Sequence, residues 1–366
     1  YQFLGYVHHP DGTRLGEKPG DPPQFDPGVL FEDNAVYLYT GFCPAADTSR
    51  KGAMVTVLEP DMLTVRQEPV TVVPSASHAV GTSFEDFPFF EASSIRKVGD
   101  RYCFIYSTTH HHELSYALSD SPLGPFIYGG VIVSNCDLHI DTYKPAGQPM
   151  FYGGNNHGCL EQINGQWYIF YHRHTNGTNF SRQGCMEPVA ILSDGTIPQV
   201  ELTSCGGNGG PLEGRGEYPA HIACNLYCRH PALTTGSPGD WMDCRFPRIT
   251  QDAPDGMEGF AHIANLRDGA AAGFKYFSCE GVCRISVKVR GGAGVYEVRT
   301  QWDGAVLGGI PVSHTNEWKT FQAEIAIPDG VQALYFTYRG EGISNLASFT
   351  LEGLGTRGTS NDGAES

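Results

Sequence analysis

Phe89-Phe90-Glu91-Ala92-Ser93-Ser94-Ile95-Arg96-Lys97 runs through a tight Gly99-Asp100 turn into Tyr102-Cys103-Phe104-Ile105-Tyr106-Ser107. An acidic side chain follows two aromatic ones, and two strand-like runs flank a two-residue turn, the pattern of a β-hairpin. The arrangement recurs. Phe25-Asp26-Pro27 leads through Asp33-Asn34 into Val36-Tyr37-Leu38-Tyr39, and Asn155-Asn156-His157 leads through Asn164-Gly165 into Trp167-Tyr168-Ile169-Phe170-Tyr171. Tyr39, Tyr106 and Tyr171 end the second strands at separations of 67 and 65 residues, and Asp26, Glu91 and His157 precede them by 13, 15 and 14. One position is thus filled in turn by Asp, Glu and His. A repeat of this length made of strands predicts propeller blades around a central axis. The shared position, at the start of each inner strand, faces that axis. Three ionisable groups then converge, and two of them are carboxyls, as glycoside hydrolysis requires.

Composition agrees with an all-β protein. The 366 residues include 46 glycines and 11% aromatics, and no long amphipathic helical stretch is visible. A formal charge of −16 argues against a nucleic-acid partner, since phosphates would be repelled, but suits neutral sugar polymers. No apolar run approaches the roughly 20 residues of a membrane helix. Among the 11 cysteines, the pairs Cys224/Cys228 and Cys279/Cys283 invite a zinc reading. They lack the usual two-residue gap and a histidine partner, so buried reduced thiols are preferred, which suggests a cytoplasmic location. The sequons at Asn176 and Asn179 are read as chance.

Along the chain, residues 1–203 read as a partial β-propeller, with an opening strand near Tyr1–Val7. Residues 204–240 are Gly-dense and read as a linker. Residues 241–353 alternate at roughly ten-residue spacing and read as a β-sandwich, with separate strands at Arg284–Val289, Val295–Arg299, Thr320–Ile325 and Ala333–Tyr338. Residues 354–366 read as a disordered tail.

Four motifs, in order, resemble glycoside hydrolase family 43: Phe25-Asp26-Pro27, Phe90-Glu91-Ala92, Asp120-Ser121-Pro122-Leu123-Gly124-Pro125-Phe126 and Asn156-His157-Gly158. The resemblance covers about residues 1–200. It implies a five-bladed β-propeller and an inverting α-L-arabinofuranosidase or β-xylosidase acting on pentose-containing plant oligo- or polysaccharides. It implies Glu91 as general acid and Asp26 as the carboxylate that orients it and tunes its pKa. His157 matches an axial histidine that in some members contacts a metal ion through water. Arg182 resembles a basic residue facing the substrate, and Phe90 lines the same place. No organic cofactor is required, and a structural calcium has a place. The family's general base lies upstream of the Asp26 motif, where this chain has no room for its first two blades. The resemblance therefore implies a propeller without its N-terminal blades, with that missing piece as a partner. The C-terminal segment is similar, more weakly, to a family 6 carbohydrate-binding module.

Each assignment has a plainer alternative. Glu91 could be a solvated loop carboxylate, Asp26 an Asp-Pro turn cap, His157 a structural histidine, and Arg182 a partner of Glu187. His110-His111-His112 reads as a solvated loop. Trp318 and Tyr276 offer faces for sugar stacking with Asn345 as polar partner, or simply packing. The rival function is a non-catalytic carbohydrate-binding protein, or an enzyme fragment without its base.

Overall fold

The structure is a computed structural model that describes residues 2–229, 242–254 and 257–353. Three antiparallel sheets come first. They are β1 (Gly28–Glu32), β2 (Ala35–Thr40), β3 (Gly52–Leu58) and β4 (Val65–Pro74); β5 (Phe89–Val98), β6 (Arg101–Thr108), β7 (Leu114–Ser119) and β8 (Ile127–Val133); and β9 (Cys159–Ile163), β10 (Gln166–His174) and β11 (Arg182–Val189). The first strand of each begins a hairpin, and in the first and third sheets both turn residues take left-handed backbone: Asp33 and Asn34 at φ 49° and 57°, Asn164 and Gly165 at 51° and 85°. Such turns match the right-handed twist of the strands they join.

The sheets stack face to face as propeller blades, and β6 shows why its sequence is apolar without alternation. Phe104 and Tyr106 pack toward the first sheet with Tyr39, Val55 and Val73. Cys103 and Ile105, on the other face, pack toward the third sheet with Leu160, Ile169 and Tyr171. A strand buried on both faces reads as a continuous hydrophobic run. The inner strand β5 lies against both β1 and β9, so the three chain positions singled out in the sequence arrive at one place.

The second half is a sandwich: β12 (Leu212–Glu213), β13 (Gly216–Pro219), β14 (Asn225–Tyr227), β15 (Arg248–Gln251), β16 (Ala261–Leu266), β17 (Ala271–Cys279), β18 (Val282–Arg299), β19 (Gly308–Val312), β20 (Thr315–Glu324) and β21 (Gly330–Gly353). Its core includes Phe274, Val287, Tyr296, Phe336 and Phe349.

Three expectations are corrected. Tyr1 lies outside the described residues, and residues 2–7 form no strand; Phe3 and Leu4 stand exposed. The expected linker is not one throughout. Leu212–Glu213, Gly216–Pro219 and Asn225–Tyr227 pair with β17 and β21 of the sandwich, while residues 230–240, like Trp241 and the tail 354–366, lie outside the described residues. Arg284–Val289 and Val295–Arg299 are one strand, β18, because Gly291 to Gly294 do not end it. A Cβ on Gly294 would lie 2.1 Å from the Arg339 carbonyl oxygen, so these glycines let β18 and β21 pass closely rather than turn.

Neither Cys224/Cys228 nor Cys279/Cys283 joins a group of three metal-ligating side chains among the described residues. Among the described residues, no helix is long and apolar enough to cross a membrane.

Candidate active site

The trio forms because each side chain sits where the backbone departs from regular strand. Asp26 closes the Gly16–Pro27 loop at φ 48°, and Pro27 sends the chain into β1. Glu91 lies in β5 between two register shifts, beside Ala92 at φ 68°. A bulge of this kind re-aims a side chain. His157 stands two residues before β9.

These departures bring the groups into contact. His157 Nε2 lies 3.2 Å from Asp26 Oδ2 and 3.3 Å from Glu91 Oε1. The three atoms offered are within 4.8 Å of one another. The Ala92 amide donates to Asp26 Oδ2 at 3.3 Å, tying the Asp26 loop to the bulge. Glu91 is 3% exposed, whereas Asp26 and His157 are half-buried. Burial raises the Asp26 pKa, and the charge of Glu91 adds to that; His157 and the Ala92 amide pull the other way. Two carboxyls beside one imidazole in a partly dry site form a device that can hold and release a proton.

Arg182, at the start of β11, donates to the Asn179 carbonyl and feels the charge of Glu91. It does not pair with Glu187, which instead accepts from the Thr203 amide and hydroxyl, both at 2.7 Å. Phe90 packs on Phe42 at 5.4 Å and on His112 at 5.0 Å. The histidine triplet is therefore not simply a solvated loop: His110 is exposed, but His112 contacts Phe90 and burial lowers its pKa.

Sequence reasoning missed a second layer. His172 Nε2 accepts from the His157 amide at 3.2 Å, and the His172 amide donates to Asn156 Oδ1 at 3.4 Å. Burial, with the nearby His157, lowers the His172 pKa to about 3, and burial, with Arg182, does the same for His174. Both rings are neutral at ordinary pH. The available signal was their two-residue spacing on β10, which places them on one face.

Trp318 is not brought to the trio by any of its contacts. Its indole NH donates to Asp252 at 3.4 Å, Arg290 lies 4.4 Å over its ring, and Phe260 and His262 flank it, all within the sandwich. Asn345 bonds to Asn265 and Arg290 there. Tyr276 is no stacking face: its hydroxyl donates to Glu201 at 2.5 Å in the joint between the two halves.

A second cluster of His9, Asp21 and Glu68 is a clasp. Buried His9 faces Asp21 through Nε2 at 3.0 Å and Glu68 through Nδ1 at 3.1 Å, and its pKa is raised, chiefly by the Asp21 bond. With a carboxylate facing each ring nitrogen, His9 fastens the loop that ends at Asp26.

Comparison with known proteins gives these likenesses. Residues 11–197 match the family described as glycosyl hydrolases family 43. A Thermoclostridium stercorarium protein named xylosidase/arabinosidase is 63% identical over 352 residues, covering 96% of this chain and 74% of that one. An arabinoxylan arabinofuranohydrolase of Paenibacillus polymyxa is 27% identical over 353 residues, covering 88% of this chain and 49% of the relative. A crystal structure of a family 43 arabinoxylan arabinofuranohydrolase from Bacillus subtilis in complex with cellotetraose aligns with 94% of this chain and 71% of that chain, at 22% identity and TM-score 0.45. The chain thus spans about three quarters of the Thermoclostridium relative and about half of the Paenibacillus one.

Proposed function

The chain belongs to glycosyl hydrolase family 43, and on that premise we propose that it serves to remove arabinofuranosyl or xylosyl units from pentose-containing oligo- or polysaccharides with inversion. The observation that carries this reading is His157 Nε2 held between Asp26 and buried Glu91, at 3.2 and 3.3 Å. Glu91 is the general acid that protonates the leaving glycosidic oxygen. Asp26, whose own proton affinity is raised by burial and by Glu91, orients and tunes it. His157 holds both carboxyls in one geometry, and Arg182 and Phe90 face the substrate.

Inversion needs, beside the acid Glu91, a second catalytic carboxylate to activate water on the opposite face of the sugar, roughly 6.5–9.5 Å from the acid. Among the described residues no further Asp, Glu, His or Cys joins the trio's cluster. The base is therefore a carboxylate outside the contact group of Asp26, Glu91 and His157, whose offered atoms lie within 4.8 Å of one another.

A structural calcium fits the trio poorly. Calcium takes six to eight oxygens, whereas the trio offers two carboxylates and an imidazole nitrogen already facing them. Trp318 remains the sandwich's sugar-facing candidate, with Arg290 over one face of its ring.

The test is release of 4-nitrophenol from the α-L-arabinofuranoside and β-D-xyloside, beside Glu91→Gln. Turnover lost by roughly 10²-fold or more in the variant, with the α- or β-anomer of the released sugar inverted by NMR, supports the assignment. An equally active Glu91→Gln protein would remove Glu91 from the mechanism. Asp26 and Glu91, which share one imidazole and offer oxygens within 4.8 Å of each other, are closer than the roughly 6.5–9.5 Å of an inverting pair, which favours one other reading, a binding protein. It predicts no turnover by the folded chain, together with retention on arabinoxylan.

A further inference from the structure

Away from the trio, the sandwich holds a polar cavity of about 260 Å³ lined by Arg229, Arg299, Arg339, Trp302, Asp303 and Thr337 among others. Its position follows from sheet register. Tyr227 of β14 pairs with Ala271 of β17, Ala271 with Thr337 of β21, and Thr337 with Glu297 of β18. Thr337 and Arg339 on one strand, and Glu297 and Arg299 on its neighbour, therefore share the face turned away from the Phe336, Tyr338, Tyr296 and Val298 core. Trp302, just beyond β18, packs edge-on against Tyr227 at 4.9 Å and Tyr335 at 5.6 Å, which fixes it as a wall.

The charges are unequal. Arg299 is spent on the protein: it donates to Glu297 at 2.8 Å, to Thr337 at 3.1 Å and to the Gly304 carbonyl at 3.2 Å. Glu297 also takes the Arg339 Nε at 3.4 Å, so one carboxylate serves two guanidiniums. The terminal nitrogens of Arg339 have no acceptor among the described residues, and Arg229 pairs with no carboxylate there. Gly269 keeps the two together: a Cβ on it would lie 3.2 Å from Arg339 Nη1 and 3.7 Å from Arg229 Cδ. Three guanidiniums against Glu297 and Asp303 leave the cavity locally cationic on a chain whose formal charge is −16. A cation pair with free donors beside a fixed indole is a recognition site for a planar anion carried on a ring.

We propose that this cavity binds a single hexuronic acid unit, its carboxylate on Arg339 and Arg229 and its ring against Trp302. The volume lies below the roughly 300–1,000 Å³ of drug-sized ligand pockets, which suits one sugar ring. The carboxylate is what separates this ligand from the neutral pentoses of the proposed hydrolysis. The site is separate from the trio, so its test stands whether or not hydrolysis does.

The test is affinity electrophoresis and calorimetry of the whole chain against glucuronoxylan, the same polymer after carboxyl reduction, neutral arabinoxylan, free glucuronate and inorganic phosphate. Glucuronoxylan should bind tightest, weaken with added salt, and lose roughly tenfold or more in affinity in Arg229→Gln and in Trp302→Ala. Arg229 is exposed, so an unchanged melting temperature in that variant shows that the fold is intact. Competition by free glucuronate but not by equal phosphate supports the sugar. Equal binding of the carboxyl-reduced polymer, or phosphate competing as well as glucuronate, overturns the proposal, the latter by leaving only a general anion site. Unaltered affinity in both variants overturns it too.

Discussion

At the scale of residues, the trio rests on a layer of uncharged imidazoles. His172 accepts the His157 amide proton through Nε2, so it can do its work only while neutral. Its pKa and that of His174 are lowered to about 3 from an ordinary value of 6.5, in each case mainly by burial. Between those values the unfolded chain binds protons that the folded one refuses, so stability is full above about pH 6.5 and falls as pH drops toward 3. Melting temperatures measured from pH 7.5 to pH 4 should decline on the acid side. His172→Gln keeps an acceptor for the His157 amide without a titrating ring, and should flatten that decline; an unchanged slope would acquit His172. Asp26, Glu91 and His157 were legible because a repeat put three unlike ionisable residues in one position. His172, His174 and His112 were not, because they break no pattern. Two sit inside a strand whose aromatics already explained it, and His112 reaches Phe90 only through the fold of its turn.

At the scale of elements, the hairpins were legible and the long strands were not. Asp33-Asn34 and Asn164-Gly165 are turn dipeptides whose left-handed backbone the residues themselves favour. The glycines at 291–294 carry the same local signal but serve a contact far away in sequence, the close passage of β18 and β21, and no local pattern distinguishes the two uses. Gly28 is a similar case at the inner end of β1. A Cβ there would lie 2.6 Å from the Ser93 carbonyl oxygen and 3.1 Å from Ser94 Cα. Backbone rather than a flexible side chain must give way, so the inner strands of the first two blades would separate just where Asp26 meets the Ala92 amide. Gly28→Ala should cost about 1–3 kcal/mol, seen as a melting temperature lower by several degrees. An unchanged melting temperature would mean that β1 and β5 do not need this approach.

At the scale of the whole molecule, the blades and the sandwich are joined through buried charge. Phe151 and Tyr152, from the chain just before β9, enter the sandwich core. Lys275 of β17, fully buried, reaches Glu201 at 2.7 Å and Asp137 at 3.3 Å, with its ammonium 3.5 Å over the Tyr143 ring. The two carboxylates are not equivalent. Burial outweighs Lys275 at Asp137 and raises its pKa, whereas at Glu201, which is partly solvated, Lys275 and the Thr142 and Tyr276 hydroxyls together outweigh burial and lower it. The shorter of the two lysine contacts is to Glu201, and Asp137 also accepts from the Tyr143 hydroxyl at 2.6 Å and the Leu202 amide at 2.8 Å. Removing one member of such a cluster strands the others, a loss of about 3–5 kcal/mol that replacing the whole cluster by apolar groups would not incur. Lys275→Met should therefore destabilise strongly and, because the lysine belongs to the sandwich and both acids to the propeller side, weaken the coupling between the halves. Calorimetry of the wild-type chain should show one transition and the variant two, or one much lower. Lys275→Met combined with Glu201→Gln should recover part of the loss, since the stranded charge is gone. A double variant no better than the single one would show that Lys275 acts through its packing on Tyr143 rather than through charge.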